Sequence, residues 1–206
     1  LTLQVLILMT VLTLLPSLLI MMTSFVRVII VMSLLRQAIG TAQTPPNTVL
    51  VGIALFLTFF IMSPILETVY NDSIVPYIEE EVSAEQAIDI ALVPIRDFMV
   101  TQTRVDDLMI FSAIGGYEYD GVADTIPLSI LIPSFMTSEL KTAFTIGFLI
   151  YIPFVIIDLV VASVLMSMGM MMLSPMMISM PFKLMLFVLA DGWILIMQSL
   201  TSSFAL

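Results

Sequence analysis

The sequence predicts an all-α protein of membrane type, with long, kinked apolar helical hairpins and an acidic, amphipathic helical segment between them. Three observations carry this reading. Hydrophobic residues make up 60% of the chain and charged residues 11%, against roughly 45–50% and about 25% in soluble domains, and mean hydropathy is +1.17. The apolar residues gather into long runs almost free of charge, at 1–39, 48–66, 142–168 and 178–200. Thirteen acidic residues and two arginines lie between Asn71 and Leu140, a local net charge of −11. The chain therefore reads as a first apolar hairpin (1–66), an acidic helical segment (67–141) and a second apolar hairpin (142–206).

Residues 1–39 are broken only by Thr, Ser, Gln4, Pro16, Arg27 and Arg36. One helix of that length would extend ~58 Å, well beyond a ~30 Å hydrocarbon core. Either Pro16 bends it, or its second half, carrying both arginines, leaves the membrane. Arg27 and Arg36 read first as cytoplasmic anchors in an arginine-bearing turn, with a specific contact to lipid or partner as the alternative. Leu1 follows no Met and no basic n-region, a start that fits removal of a signal peptide. Gly40 is the expected C-cap, and Pro45-Pro46-Asn47 the expected link, with Asn47 as the next N-cap. Residues 48–66 form an uncharged second span with a kink expected at Pro64.

In the acidic segment, Ser83 and Gln86 fit a capping box. Ala84, Ala87, Ile88, Ala91, Leu92, Ile95, Phe98 and Met99 follow helical spacing, with a kink expected at Pro94. A second amphipathic helix is expected over 105–114, ended by Gly115-Gly116, with 117–127 as a loop. Glu79, Glu80 and Glu81 read as a solvated face, with cation binding as the alternative. The acidity of this segment suits the non-cytoplasmic side.

The second hairpin organises the chain. Its limbs converge on a methionine-dense link in which eight of the 18 methionines (Met166, Met168, Met170, Met171, Met172, Met176, Met177 and Met180) lie within fifteen residues. Gly169, Pro175 and Pro181 punctuate it as a turn between helices requires. The midpoint between Asp158 and Lys183 falls between Met170 and Met171. In a symmetric antiparallel hairpin, equal residue counts at ~1.5 Å rise bring these two charges to one level, a buried ion pair beneath the loop. Removing one partner would leave an orphan charge costing ~3–5 kcal/mol. A structural pair is one reading and a proton relay the other. The methionines are either adaptable core filler or the lining of an opening, and their position in the turn favours the lining.

Composition excludes several functions. Six Lys and Arg against 16 acidic residues leave no surface for nucleic acid. With no Cys and no His, disulfide, thiolate, zinc and histidine-relay chemistry are absent from this chain. Neither a metal nor a cofactor is expected. An intramembrane aspartyl protease would need Asp158 and Asp191 face to face, but Lys183 is the better-placed partner for Asp158. An ion-coupled transporter subunit would have only Asp158 to work with. The expectation is a protein that is not an enzyme.

The chain resembles the FliP family, the flagellar members of the export-gate proteins shared with injectisome type III secretion. The likeness covers essentially the whole chain and is most specific at TSFVRVIIVMSLLRQAIGTAQTPPN (23–47), IALFLTFFIMSP (53–64), PSFMTSELKTAFTIGF (133–148), IDLVVASVLMSMGMMMLSP (157–175) and PFKLMLFVLADGW (181–193). The resemblance implies a ring of five copies, completed by FliR and FliQ and associated with FlhB. That ring is a closed gate in the bacterial inner membrane at the flagellar basal body, through which unfolded subunits pass. An injectisome homologue is the alternative. The family's methionine loop corresponds here to Met168, Met170, Met171 and Met172, which would line the constriction. The hairpins would sit largely in a protein assembly raised out of the bilayer plane, in contact with lipid only in part. The acidic segment and both chain ends are expected in the periplasm.

Overall fold

The computed structural model describes residues 2–41, 43–117, 126–170 and 172–204, and these are all helix and turn, with no strand among them. Helix α1 is Thr2–Met21 and α2 is Phe25–Ile39. The apolar run that opens the chain is divided at residues 22–24, whereas Pro16 lies inside α1. At this break the Thr23 hydroxyl donates to the Ile20 carbonyl at 2.6 Å and accepts the Phe25 amide at 3.4 Å. Thr23 thus ends one helix and starts the next by local side-chain bonding.

Helix α3, Asn47–Val69, contains Pro64 and passes without interruption into a π-helical turn, Tyr70–Ile74, and then into α4, Val75–Ile78. Asn47 is the first helical residue and not the cap. The Pro46 carbonyl accepts from the Val49 and Leu50 amides, while Asn47 Oδ1 is taken at 2.7 Å by Arg36 Nη1. Helices α5 (Ala84–Gln102, with Pro94 inside) and α6 (Val105–Ile114) follow. The capping box is complete: Ser83 Oγ accepts the Gln86 amide at 3.3 Å, and Gln86 Oε1 accepts the Ser83 amide at 2.9 Å. Gly116, at φ +67°, closes α6, with the Tyr117 amide donating to the Ser112 carbonyl. Most of the loop expected at 117–127 lies outside the described residues.

Helix α7, Leu128–Ser167, is 40 residues long. It begins well before the expected start near Thr142, because Glu139 and Lys141 interrupt hydropathy and leave the helix intact. Glu139 is fully buried and has an interaction partner. The last apolar segment, expected as one span, is instead α8 (Pro175–Leu189) and α9 (Gly192–Ser202), bent by 66° between them. The chain turns at Asp191, which adopts a left-handed conformation at φ 49°. Its amide closes α8 on the Val188 carbonyl, and its own carbonyl accepts from Ile194 and Leu195 to open α9. Aspartate is among the few residues that tolerate this conformation.

Two compact units result: Leu1–Val26, Thr58–Leu140 and Phe204–Leu206 in one, Arg27–Leu57 and Lys141–Ser203 in the other. In the first, Phe98 meets Phe135 edge-on at 5.9 Å and stacks on Phe204 at 6.2 Å. Ser73 Oγ donates at 2.6 Å to the Ala87 carbonyl, tying the π turn to α5. The start of α6 lacks a capping side chain, and Ser138 of α7 takes over that role. Its Oγ accepts the Arg104 amide at 3.0 Å and donates at 2.5 Å to Asp107 Oδ2. A carboxylate in the first turn also suits the positive end of the helix dipole.

The second unit is built on α2. Val28, Val31, Met32, Leu35 and Ala38 form a fully buried stripe at helical spacing, with Leu50 and Ala54 from α3, Phe154 from α7, Phe187 from α8 and Leu200 from α9 also in the core. Gly147 lets Leu34 lie directly on α7, where a Cβ would collide with it.

Among the described residues, three helical stretches are long and apolar enough to cross a membrane: Gln4–Met21, Asn47–Ile78 and Leu128–Ser167. The bent pair α8–α9 makes a fourth if counted as one.

Candidate functional site

The methionine link is a helix-ending turn followed immediately by a new helix. Gly169, at φ +74°, sits two residues past the end of α7. The Met170 amide donates to the Leu165 carbonyl and the Gly169 amide to the Met166 carbonyl, both at 3.0 Å. This pair of bonds satisfies carbonyls that the helix end would leave open, and it needs a residue free to adopt positive φ. Ser174 precedes α8 and Pro175 is its first residue, a position where proline costs nothing because that amide is unpaired anyway. The loop side chains point away from the chain's own core: Met168 and Met170 are exposed, and Met172 is 100% exposed. Met171 lies outside the described residues.

Below the loop, Lys183 Nζ on α8 lies 2.6 Å from Asp158 Oδ2 on α7. The lysine side chain is 3% exposed and the aspartate 29%. Two further groups complete the cluster. Ser179 Oγ donates to Asp158 Oδ1, and Lys183 Nζ also donates to the Ala38 carbonyl at 3.2 Å. The pair therefore joins α7, α8 and α2. Sequence reasoning did not single out Ser179. The available signal was its place four residues before Lys183, hence on the same helix face, in a segment with few other polar groups. The Ala38 carbonyl carried no signal, since a backbone acceptor is invisible in residue type.

Desolvation explains the geometry. A buried ammonium without counter-charge would be several kcal/mol unfavourable, and here it meets a carboxylate and a helix-terminal carbonyl. Asp158, partly open, keeps acceptor capacity on its exposed side. Beside the pair, an open apolar groove of about 480 Å³ runs between α7 and α8, lined by Val160, Val164, Ile178 and Phe182 among others.

Asp191 does not join Asp158. It is exposed at the elbow, eight residues beyond Lys183, or ~12 Å along a helix, while a catalytic carboxylate dyad requires contact at about 3 Å. Nor do Arg27 and Arg36 share a turn, for they lie at opposite ends of α2. Arg27 is buried and donates to Ser203, so it is no headgroup anchor. Arg36 bonds Pro45 and Asn47. Glu79, Glu80 and Glu81 are exposed in the turn that follows α4.

Known proteins resemble this chain in sequence over nearly its whole length. A family model described as the FliP family matches residues 8–200. The chain is 55% identical over 204 residues to the flagellar biosynthetic protein FliP of Pectobacterium carotovorum subsp. carotovorum, covering 99% of this chain and 79% of that relative. It is 53% identical over 204 residues to the protein of that name from Cereibacter sphaeroides, covering 99% and 68%. With the one from Bacillus subtilis (strain 168) the figures are 50% over 203 residues, covering 98% and 92%. The chain belongs to the FliP family.

Proposed function

We propose that this chain is a subunit of the protein-conducting gate of the flagellar export apparatus in the bacterial inner membrane, not an enzyme. Five copies would form a ring with FliQ-, FliR- and FlhB-like partners, and unfolded flagellar subunits would pass through it. Membership of the FliP family supports a component of the flagellar export apparatus at a membrane. The observation that carries the finer reading is the methionine loop, held out at the tip of a hairpin whose limbs are joined by the Asp158–Lys183 pair.

In a ring, each copy's Met168, Met170, Met171 and Met172 would converge on the axis. Three flexible torsions and a polarisable thioether let such side chains close on one another and yield to varied passing residues. An apolar constriction also excludes ions by dewetting while it is empty. Gly169 gives the loop its turn and Pro175 sets the direction of α8. The acidic segment would face the periplasm. The length of α7 supports a ring raised out of the bilayer plane, since 40 residues extend ~60 Å against a ~30 Å hydrocarbon core.

The test is a triple change of Met170, Met171 and Met172 to Ala in assembled gates of verified stoichiometry. Ion conductance or dye entry should rise relative to the parent, and single changes should raise it less. A triple variant as tight as the parent would return these methionines to the role of core filler.

A further inference from the structure

Two buried cations of the second unit make matching contacts in opposite directions. Arg27, near the start of α2, is 2% exposed, and its Nη1 donates to the Ser203 carbonyl at 2.9 Å and to Ser203 Oγ at 3.1 Å. Ser203 is the residue that caps the C-terminal end of α9. Lys183, on α8, donates at 3.2 Å to the Ala38 carbonyl in the last turn of α2. Helix C-termini present unpaired carbonyls and partial negative charge, and a cation is favourable there. Each cation therefore caps the C-terminal end of another helix.

Between these two contacts lies the 66° elbow. A straight helix from Lys183 to Ser203 would cover ~30 Å. With the bend of 66° the span falls to ~26 Å at the same rise. Arg27 and Ala38 are only ~17 Å apart along α2, and the two longest cationic side chains make up much of the difference. A straight limb would set the two contacts ~4 Å further apart than the bent one does.

We propose that α2 is a splint. Arg27 and Lys183 fasten it to both arms of the α8–α9 limb and fix the elbow, which makes Arg27 a positioning residue for the limb that carries the methionine loop. The rival cause is local: Gly192 lies under the Phe187 ring, which meets Trp193 edge-on at 5.2 Å. The proposal is independent of what the assembly transports.

The chain has no Cys, so spin labels can be placed at Met177→Cys and Gln198→Cys, both exposed, one on each arm. Backbone separation is ~27 Å for the 66° bend and ~32 Å for a straight limb. Distances are measured by double electron–electron resonance in the detergent-extracted complex, with labelled copies diluted among unlabelled ones. The parent should give one narrow peak. Arg27→Gln should broaden it and shift it toward the longer value, and Arg27→Lys, which keeps a cation near the carbonyl, should restore it. A parent-like distribution in Arg27→Gln overturns the proposal. So does a shift in Gly192→Ala without one in Arg27→Gln, and so does failure of Arg27→Lys to restore the peak. If Arg27→Gln does not assemble, the double change Asp158→Met with Lys183→Met removes the opposite clamp without leaving an orphan charge. It must then lengthen the same distance, and a parent distribution there is equally fatal.

Discussion

The Asp158–Lys183 pair allows a prediction with unequal arms. Asp158→Ala strands an ammonium that is 3% exposed, and the expected cost is ~3–5 kcal/mol. Lys183→Ala strands a carboxylate whose side chain is 29% exposed and which still accepts from Ser179 Oγ. Water or lipid headgroups can reach it, so the cost should sit at or below the lower end of that range, roughly 2–3 kcal/mol. Against a total stability of about 5–15 kcal/mol, the first change alone threatens assembly. Changing both residues to Met removes the orphan; what remains is the loss of partners for Ser179 and the Ala38 carbonyl, about 1 kcal/mol each. The double variant should therefore assemble better than Asp158→Ala, and with the single changes also made to Met the cycle should show a coupling of at least ~2 kcal/mol. Unfolding by SDS titration from mild detergent, with the assembled fraction on native gels, measures each corner. A double variant no better than Asp158→Ala, or a Lys183→Ala costlier than Asp158→Ala, would refute the argument from burial. A double variant that assembles but exports nothing would assign the charges a part in gating.

Three further outcomes follow. Native mass spectrometry in mild detergent should show five copies, held more firmly when FliQ- and FliR-like partners are co-expressed; only monomers or dimers would contradict the ring. A cysteine at exposed Glu85 should react with an impermeant maleimide added from the periplasmic side of intact cells. Labelling only after the inner membrane is opened reverses the orientation. Ser83→Ala should cost about 1 kcal/mol and speed hydrogen exchange in the first turn of α5, leaving α7 unchanged; an unaltered first turn would mean the capping box contributes nothing.

Local chemistry was legible where a residue's own side chain or backbone decides the outcome. Ser83 with Gln86 set the start of α5, and Gly115-Gly116 the end of α6. The level of Asp158 and Lys183 followed from counting outward from the loop, and the two groups lie 2.6 Å apart. Breaks made by ordinary residues were not legible. Thr23 and Ser24 are common inside apolar helices, and nothing in their type says that here they end one. Asp191 entered the sequence reading as a second carboxylate for Asp158, yet it is the left-handed residue on which the limb turns. Arg27 read as an anchor because a charge at a membrane is normally solvated. Instead it donates to a backbone carbonyl 176 residues away in sequence, which only the folded chain brings near.

Hydropathy failed for a different reason. It measures how strongly a segment avoids water and is silent on what replaces the water. Helix α7 makes the distinction, because its 40 residues reach about twice the ~30 Å that lipid can cover. Its first turns contain a buried Ser134, Ser138 and Glu139 beside Leu131 and Phe135, polar groups that this protein itself satisfies. Its later turns expose Phe148, Ile156, Leu159 and Val164 on more than one face. Lipid could cover those residues, but only over half of the helix length. The rest of so long an apolar rod must meet protein, because water would leave that surface unburied at roughly 25 cal/mol per Å². A helix too long for the bilayer and too apolar for water needs protein along part of its length, and the buried Leu131, Phe135 and Glu139 show this chain supplying it over the first turns.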